Sequence, residues 1–244
     1  MGVNSKILWA TVIVALCIVG YLVYPRGTEP TQNTTPTPTP VPTTDSDTVT
    51  DVEGNVYKAI KIGDQLWMAE NLKTTKYNDG TDIPIVTDNY AWGDLTTPAY
   101  CWYNNDPANG DAYGALYNWY AVDTGKLAPE GRHVPTKEDW ETLSKYLGGD
   151  YNAGGKLKEK GTTHWFRPNI GATDEVNFTA IPCGTRNYDG LHFYGLGDSC
   201  YFWASTESDA SNAWVRQMTC DSAGLKVFYG YKSYGRPIRC VKDS

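Results

Sequence analysis

Residues 133–149 read HVPTKEDWETLSKYLGG, and this stretch places helix in a chain otherwise rich in strand signals. Thr136 follows Pro135 and precedes Lys137-Glu138-Asp139, a capping box in which Asp replaces the usual Glu or Gln. Trp140, Leu143 and Leu147 recur at helical spacing and form one apolar stripe. Gly148-Gly149 supplies the left-handed stop. The spacing therefore predicts a helix from Thr136 to the glycine pair. A second helix is predicted over residues 112–122, where Tyr113, Leu116, Tyr117 and Tyr120 recur at i, i+3, i+4 and i+7.

Strands flank these helices. Val56–Ile62 alternates, with turns at Glu53-Gly54-Asn55 before it and at Gly63-Asp64-Gln65 after it, leading into Leu66-Trp67-Met68. Residues 73–111 are rich in turn residues. Residues 200–206 (CYFWAST) and 213–220 (AWVRQMTC) read as two strands around a polar turn. Beyond residue 150 the chain is Gly-rich and aromatic, with short strands, long loops and no helical pattern longer than about two turns. No internal repeat of 20–50 residues appears. The class is α+β, with two helices and twisted antiparallel strands.

The amino-terminal end is organised differently. Residues 7–24 carry no charge and are long enough to cross a bilayer as a helix. They end in Tyr24-Pro25-Arg26 without an Ala-x-Ala cleavage site, and Leu16 precedes Cys17, which argues against a lipoprotein. The expectation is an uncleaved single-span anchor over 1–26. Residues 28–44 are almost all Thr and Pro, a composition that holds an extended, semi-rigid spacer. The reading is an anchor, a Thr/Pro-rich stalk over 27–48 and one domain over 49–244, with that domain extracellular. Asn33 and Asn177 open N-glycosylation sequons. The 244-residue chain carries a net charge of −7, and beyond residue 26 there are 19 basic against 28 acidic side chains. Such a balance disfavours nucleic acid as a partner.

There are 6 cysteines. Cys17 lies in the apolar run. None of the others forms C-x-x-C, and His133, His164 and His192 show no metal spacing. Folding the 200–220 hairpin about residue 210 sets Cys200 opposite Cys220, within reach of a disulfide. The partners of Cys101, Cys183 and Cys240 stay open.

Longer strings carry a resemblance. GNVYKAIKIGDQLWMAENLKTTKYNDGT, YCWYNND, YGALYNWYAV, HVPTKEDWETLSKYLGG, GGKLKEKGTTHW, WASTE and RCVKD occur in this order. Together they resemble the Fibrobacter succinogenes major paralogous domain over roughly residues 49 to 243. The resemblance implies a surface or secreted domain with a C-type-lectin-like fold, in the branch that includes formylglycine-generating enzymes. It also implies that the first and last strands, 49–52 and 238–241, lie together. Ala128 and Arg132 stand where the family usually has Cys and Trp. A family disulfide from position 128 to Cys240 is therefore impossible here, and Cys183, Cys200 and Cys220 look like additions.

The chemistry of the chain favours binding over catalysis. No nucleophile elbow, phosphate loop or zinc-protease motif is present, and the histidines lack the clustering that an iron site of the fold would need. His133 reads either as a ligand contact or as a turn histidine bonded to backbone. Asp79, Asp82 and Asp88 offer oxygens for calcium, the one cofactor considered, although solvated turns have the same composition. Trp102, Tyr103, Asn104, Asn105, Asp106, Trp165 and Tyr188 are the ligand-binding candidates, with Trp119, Tyr194 and Trp214 in similar settings. Aromatic rings stack on sugar faces while Asn and Asp take hydroxyls, yet any single Trp or Tyr is better explained as framework. The expected function is a membrane-anchored extracellular binding module for a glycan or a surface protein. The alternative is a structural cell-envelope component without a small ligand.

Overall fold

The computed structural model describes residues 48–243. The expected anchor and nearly all of the stalk lie outside the described residues. Among the described residues no helix is long and apolar enough to cross a membrane.

The domain is α+β, built mostly of sheet. In chain order the strands are β1 (Thr48–Thr50), β2 (Val56–Ile62), β3 (Gln65–Met68), β4 (Tyr100–Cys101), β5 (Leu116–Tyr117), β6 (Arg132–His133), β7 (Cys183–Arg186), β8 (Phe193–Leu196), β9 (Ser199–Glu207), β10 (Asn212–Thr219), β11 (Lys226–Tyr231) and β12 (Val241–Lys242). The helices are α1 (Asn89–Gly93), α2 (Asn109–Tyr113), α3 (Trp119–Asp123), α4 (Lys137–Tyr146) and α5 (Asp150–Leu157). One sheet has the order β1-β2-β3-β12-β6, a second β11-β10-β9-β7-β8, and β4-β5 form a short ribbon. All pairings between these strands are antiparallel except β7 with β9. The last strand does reach the sheet of the first, as the resemblance implied, but not its side. β12 pairs with β3 and β6, while β1 pairs with β2.

Helix α4 follows its sequence. Thr136 Oγ1 accepts from Asp139 N at 3.0 Å and Asp139 Oδ2 accepts from Thr136 N at 2.8 Å, so the capping box closes with Asp as its acid. Trp140, Leu143 and Leu147 are buried, and Gly148 has a φ of 94°. The helix predicted over 112–122 is instead three elements. Gly114, at φ 75°, ends α2, and a Cβ there would meet Leu72 O at 2.8 Å. The chain then pairs outward: Ala115 N donates to Leu72 O, and Tyr117 exchanges backbone bonds with Arg236. Asn118 caps α3 by accepting from Ala121 N. Long-range backbone partners thus outbid a helical period that was real in the sequence.

The strand β9 is buried on both faces, because alternate side chains enter different cores. Trp203 packs with Tyr57, Tyr117, Trp119, Val215 and Ile238. Phe202 and Cys200 pack with Trp67, Trp140, Leu157, Trp165 and Phe178. Most of the tryptophans are framework: Trp67, Trp92, Trp119, Trp140, Trp165 and Trp203 are fully buried.

The 200–220 hairpin forms, but with a different register. Near the turn Ala213 faces Glu207, as a hairpin about residue 210 requires. A bulge between Ala213 and Val215 then shifts the pairing by two residues, so Cys200 faces Met218 and not Cys220. Cys220 lies past the end of β10, where its Sγ donates to Asp198 Oδ1 at 3.2 Å. The expected Cys200–Cys220 bridge is not formed: all five cysteines of the described residues are buried thiols.

Candidate functional site

The basic residues of the core locate the site. A buried cation is costly unless it is paired or hydrogen-bonded, so each buried guanidinium or ammonium can be asked what satisfies it. Lys158 Nζ donates to the carbonyls of Ile170, Thr219 and Ser222 at 2.8–3.0 Å. Arg186 donates to the carbonyls of Val86, Thr87, Asp88 and Gly190 and to Asn89 Oδ1. Arg239 donates to Asn71 Oδ1, Phe178 O and Thr179 O. Arg216 pairs with Asp150, and Lys232 with Glu207. These cations are structural cross-links.

Arg236 is the exception. Its side chain is buried, with the residue 2% exposed, yet neither Nε nor Nη1 has a hydrogen-bond partner in the protein. What surrounds it is aromatic. The guanidinium carbon lies 4.3 Å from the ring centre of Tyr234, 4.5 Å from Trp203, and 5.6 Å from both Tyr201 and Phe228. Ring faces stabilise a cation in part. Burial draws the Arg236 pKa down to about 10, which leaves it charged at neutral pH.

The local fold explains the placement. Tyr201 and Trp203 come from β9 and Phe228 from β11, on either side of β10. The chain turns after β11 and runs back so that Arg236 pairs by backbone with Tyr117. Gly230 supplies the room: a Cβ there would meet Arg236 Nη2 at 2.7 Å. The result is an open pocket of about 310 Å³ lined by Tyr194, Tyr201, Asn212, Phe228, Tyr229, Gly230, Tyr231, Tyr234 and Arg236. Its size sits at the lower end of small-molecule sites. The rim carries tyrosine rings: Tyr231 is 49% exposed, and the Tyr188 ring centre lies 4.9 Å from that of Tyr231 and 5.5 Å from that of Tyr234, whereas the Tyr229 ring lies against Trp214 on the other face of the sheet. Burial, together with the neighbouring Tyr234, raises the pKa of Tyr194.

Of the residues proposed from sequence, Tyr188 lies in this cluster and Tyr194 lines the pocket. The others are elsewhere. Trp165 is core, its indole donating to Ala180 O. Tyr103 is buried edge-on against Phe193. Asn104 and Asn105 take positive φ in the turn that follows Trp102, and Asn105 Nδ2 donates to Thr87 O. Asp106 accepts from Ala108 N. Trp102 is half-buried against Tyr100. These residues bond and pack within the framework of the domain.

The calcium candidates are likewise occupied. Asp79 accepts from Thr81 and pairs with Lys126, which holds its carboxyl well below the usual range. Asp82 pairs with Lys76, and Asp88 caps α1. Among the described residues no group of three or more His, Cys, Asp or Glu stands where it could hold a metal ion. His133 bonds side chains, not the backbone: Asp139 Oδ2 at 3.0 Å and Asp243 Oδ1 at 2.7 Å.

Sequence reasoning missed Arg236, Tyr229, Tyr231 and Tyr234. The segment FYGYKSYGR at 228–236 does carry a signal, since tyrosines alternate with glycine and end on an arginine. No curated protein and no solved structure matches this chain. The family model described as the Fibrobacter succinogenes major domain matches residues 60–242, from within β2 to the end of β12. The match spans more than half of the chain, which therefore belongs to the Fibrobacter succinogenes major domain family.

Proposed function

We propose that this protein is a binding module, held at the cell membrane by residues 7–24 and presented outside the cell on its Thr/Pro-rich stalk, with a C-type-lectin-like domain that takes a glycan. The tyrosine-rimmed pocket over Arg236 is the observation that carries this reading. Sugar rings present apolar faces that stack on aromatic rings, and the exposed rings of Tyr188 and Tyr231 offer such a platform. Two curled sheets joined by long loops support the lectin-like assignment.

Binding is favoured over catalysis by the state of the thiols. Burial pushes Cys101, Cys183 and Cys240 up to about 12 and raises Cys200 as well, so the nucleophiles that an oxidase of this fold would use are held protonated and enclosed. Nucleic acid is disfavoured by the acidic balance of the chain.

The test is a glycan-array screen of the full-length protein in detergent, run beside Tyr188→Ala and Tyr231→Ala. The expected result is saturable binding to a defined set of glycans that both substitutions abolish. Binding to none would retire the glycan reading in favour of a protein partner or a structural role in the envelope.

A further inference from the structure

We infer that the ligand taken at this pocket carries a carboxylate, and that Arg236 receives it: the preferred glycan is an acidic saccharide ending in a uronic acid. This rests on the glycan reading above and adds its charge.

The argument starts from the unpartnered cation. Five other buried basic side chains are satisfied by carbonyl, amide or carboxylate oxygens. The fold therefore has the means to satisfy a buried cation and does so at each of these five. At Arg236 it supplies rings instead: Nε and Nη1 are enclosed with no protein oxygen, and Nη2, beside Gly230, is the donor that faces the pocket. A guanidinium in a low-dielectric wall binds an anion more strongly than one in water, because the desolvation cost has already been met on folding. Arg also stays charged in such a wall, so Nη2 can donate a charge-assisted hydrogen bond to a carboxylate.

The surroundings select the kind of anion. Phosphate carries close to two charges and is met by several donors, commonly with a helix N-terminus or a run of backbone N–H groups. The residues that line this pocket include one cation, and no helix contributes to the lining. One charge beside rings suits a singly charged carboxylate on a body with apolar faces. A uronic acid has both parts: a ring for Tyr188 and Tyr231, and a carboxylate for Arg236 Nη2. Carboxylates near the rim are already engaged. Asp209 accepts from Ser211 N and from Asn212, and Glu207 pairs with Lys232.

The decisive comparison removes the ligand's charge and nothing else. Tri-galacturonic acid and its fully methyl-esterified form are titrated into the full-length protein by calorimetry, with a neutral galactose trimer and hippurate, a non-sugar carboxylate, as further arms. The expected result is binding of the acid at least tenfold tighter than the ester, weakened by raised salt. Arg236→Lys keeps a cation but lacks the pocket-facing Nη2, and is expected to lose most of that preference. Because Arg236 is buried, Gly230→Ala is run alongside, since its Cβ pushes on Nη2 from the pocket side; its folding is checked by near-UV circular dichroism. Tyr231→Ala, on the exposed rim, is expected to weaken acid and ester alike. Equal binding of acid and ester would overturn the carboxylate assignment while leaving the glycan reading intact. Binding of hippurate with none of the sugars would overturn both and point to a peptide carboxyl terminus. An acid preference unchanged in Arg236→Lys and Gly230→Ala, both still folded, would also overturn the assignment to Arg236.

Discussion

Trp203 and Arg236 are held to a single carbonyl. Trp203 Nε1 and Arg236 N both donate to Tyr117 O, each at 2.9 Å, and the guanidinium of Arg236 returns to lie 4.5 Å from the Trp203 ring centre. The floor of the pocket is thus built into the core. Trp203→Ala is expected to cost about 3–5 kcal/mol, as truncation of a buried tryptophan does. It should also reduce ligand affinity more than its distance from the rim suggests. Urea unfolding measures the first effect and titration of the folded fraction the second. A loss below about 1 kcal/mol would show that the core closes over the gap.

Lys158 should be indispensable to the 158–222 region although it touches no solvent. Lys158→Met keeps the volume and leaves the carbonyls of Ile170, Thr219 and Ser222 without their donor. The expected cost is about 3 kcal/mol or more, since each orphaned buried acceptor carries a penalty of about 1–3 kcal/mol. Hydrogen exchange of the amides around 170 and 219–222 should rise more than elsewhere. Unchanged protection there would mean that water replaces the ammonium without loss.

The bonds of His133 give a pH dependence whose sign is set by two shifts. The bonds to Asp139 and then Asp243 raise His133 against the opposing effect of burial. Its stabilisation is therefore complete below the unfolded value of about 6.5 and is lost as pH rises through the raised folded value. Burial works to raise Asp139, but the bonds from His133 and Thr136 outweigh it and bring the carboxyl to about 2. That contribution is present above the unfolded value of about 4 and is lost as pH falls toward 2. The native protein should lose melting temperature as pH rises above about 6.5 relative to His133→Gln, which lacks the titration. Parallel curves over that range would sink this account.

The thiols should be silent in the folded protein. With Cys101, Cys183 and Cys240 raised to about 12 and enclosed, alkylation by iodoacetamide at pH 8 is expected to run at least about a hundredfold slower than for a free cysteine. In denaturant without reductant, Cys200 and Cys220 should each be alkylated. Recovery of a linked peptide containing both would contradict the observed register, in which Met218 and not Cys220 faces Cys200.

Gly154 reverses a helix-propensity expectation. Ala for Gly inside a helix ordinarily gains up to about 1 kcal/mol. Here α5 lies against the 223–224 backbone, and a Cβ on Gly154 would meet Gly224 O at 2.1 Å. Gly154→Ala is expected to destabilise by about 1–3 kcal/mol, in line with overpacking. Thermal unfolding decides the sign.

The sequence by itself determined what depends on neighbours within a few residues. Thr136 and Asp139 specify the start of α4, the Glu53-Gly54-Asn55 turn separates β1 from β2, and the polar turn near residue 210 makes the β9–β10 hairpin. Long strings in order also declared the family. The tertiary structure decided what depends on distant oxygens and backbone. Gly114 and the bond from Ala115 to Leu72 O broke one helical period into three elements. A single bulge moved Cys220 past Cys200. The candidate site is of this second kind. Tyr188 and Tyr194 could be nominated from composition, but Arg236 reads in sequence like Arg186 or Arg239. What separates them is the lack of a protein oxygen at Nε and Nη1, a property of the space around a side chain that no local pattern encodes.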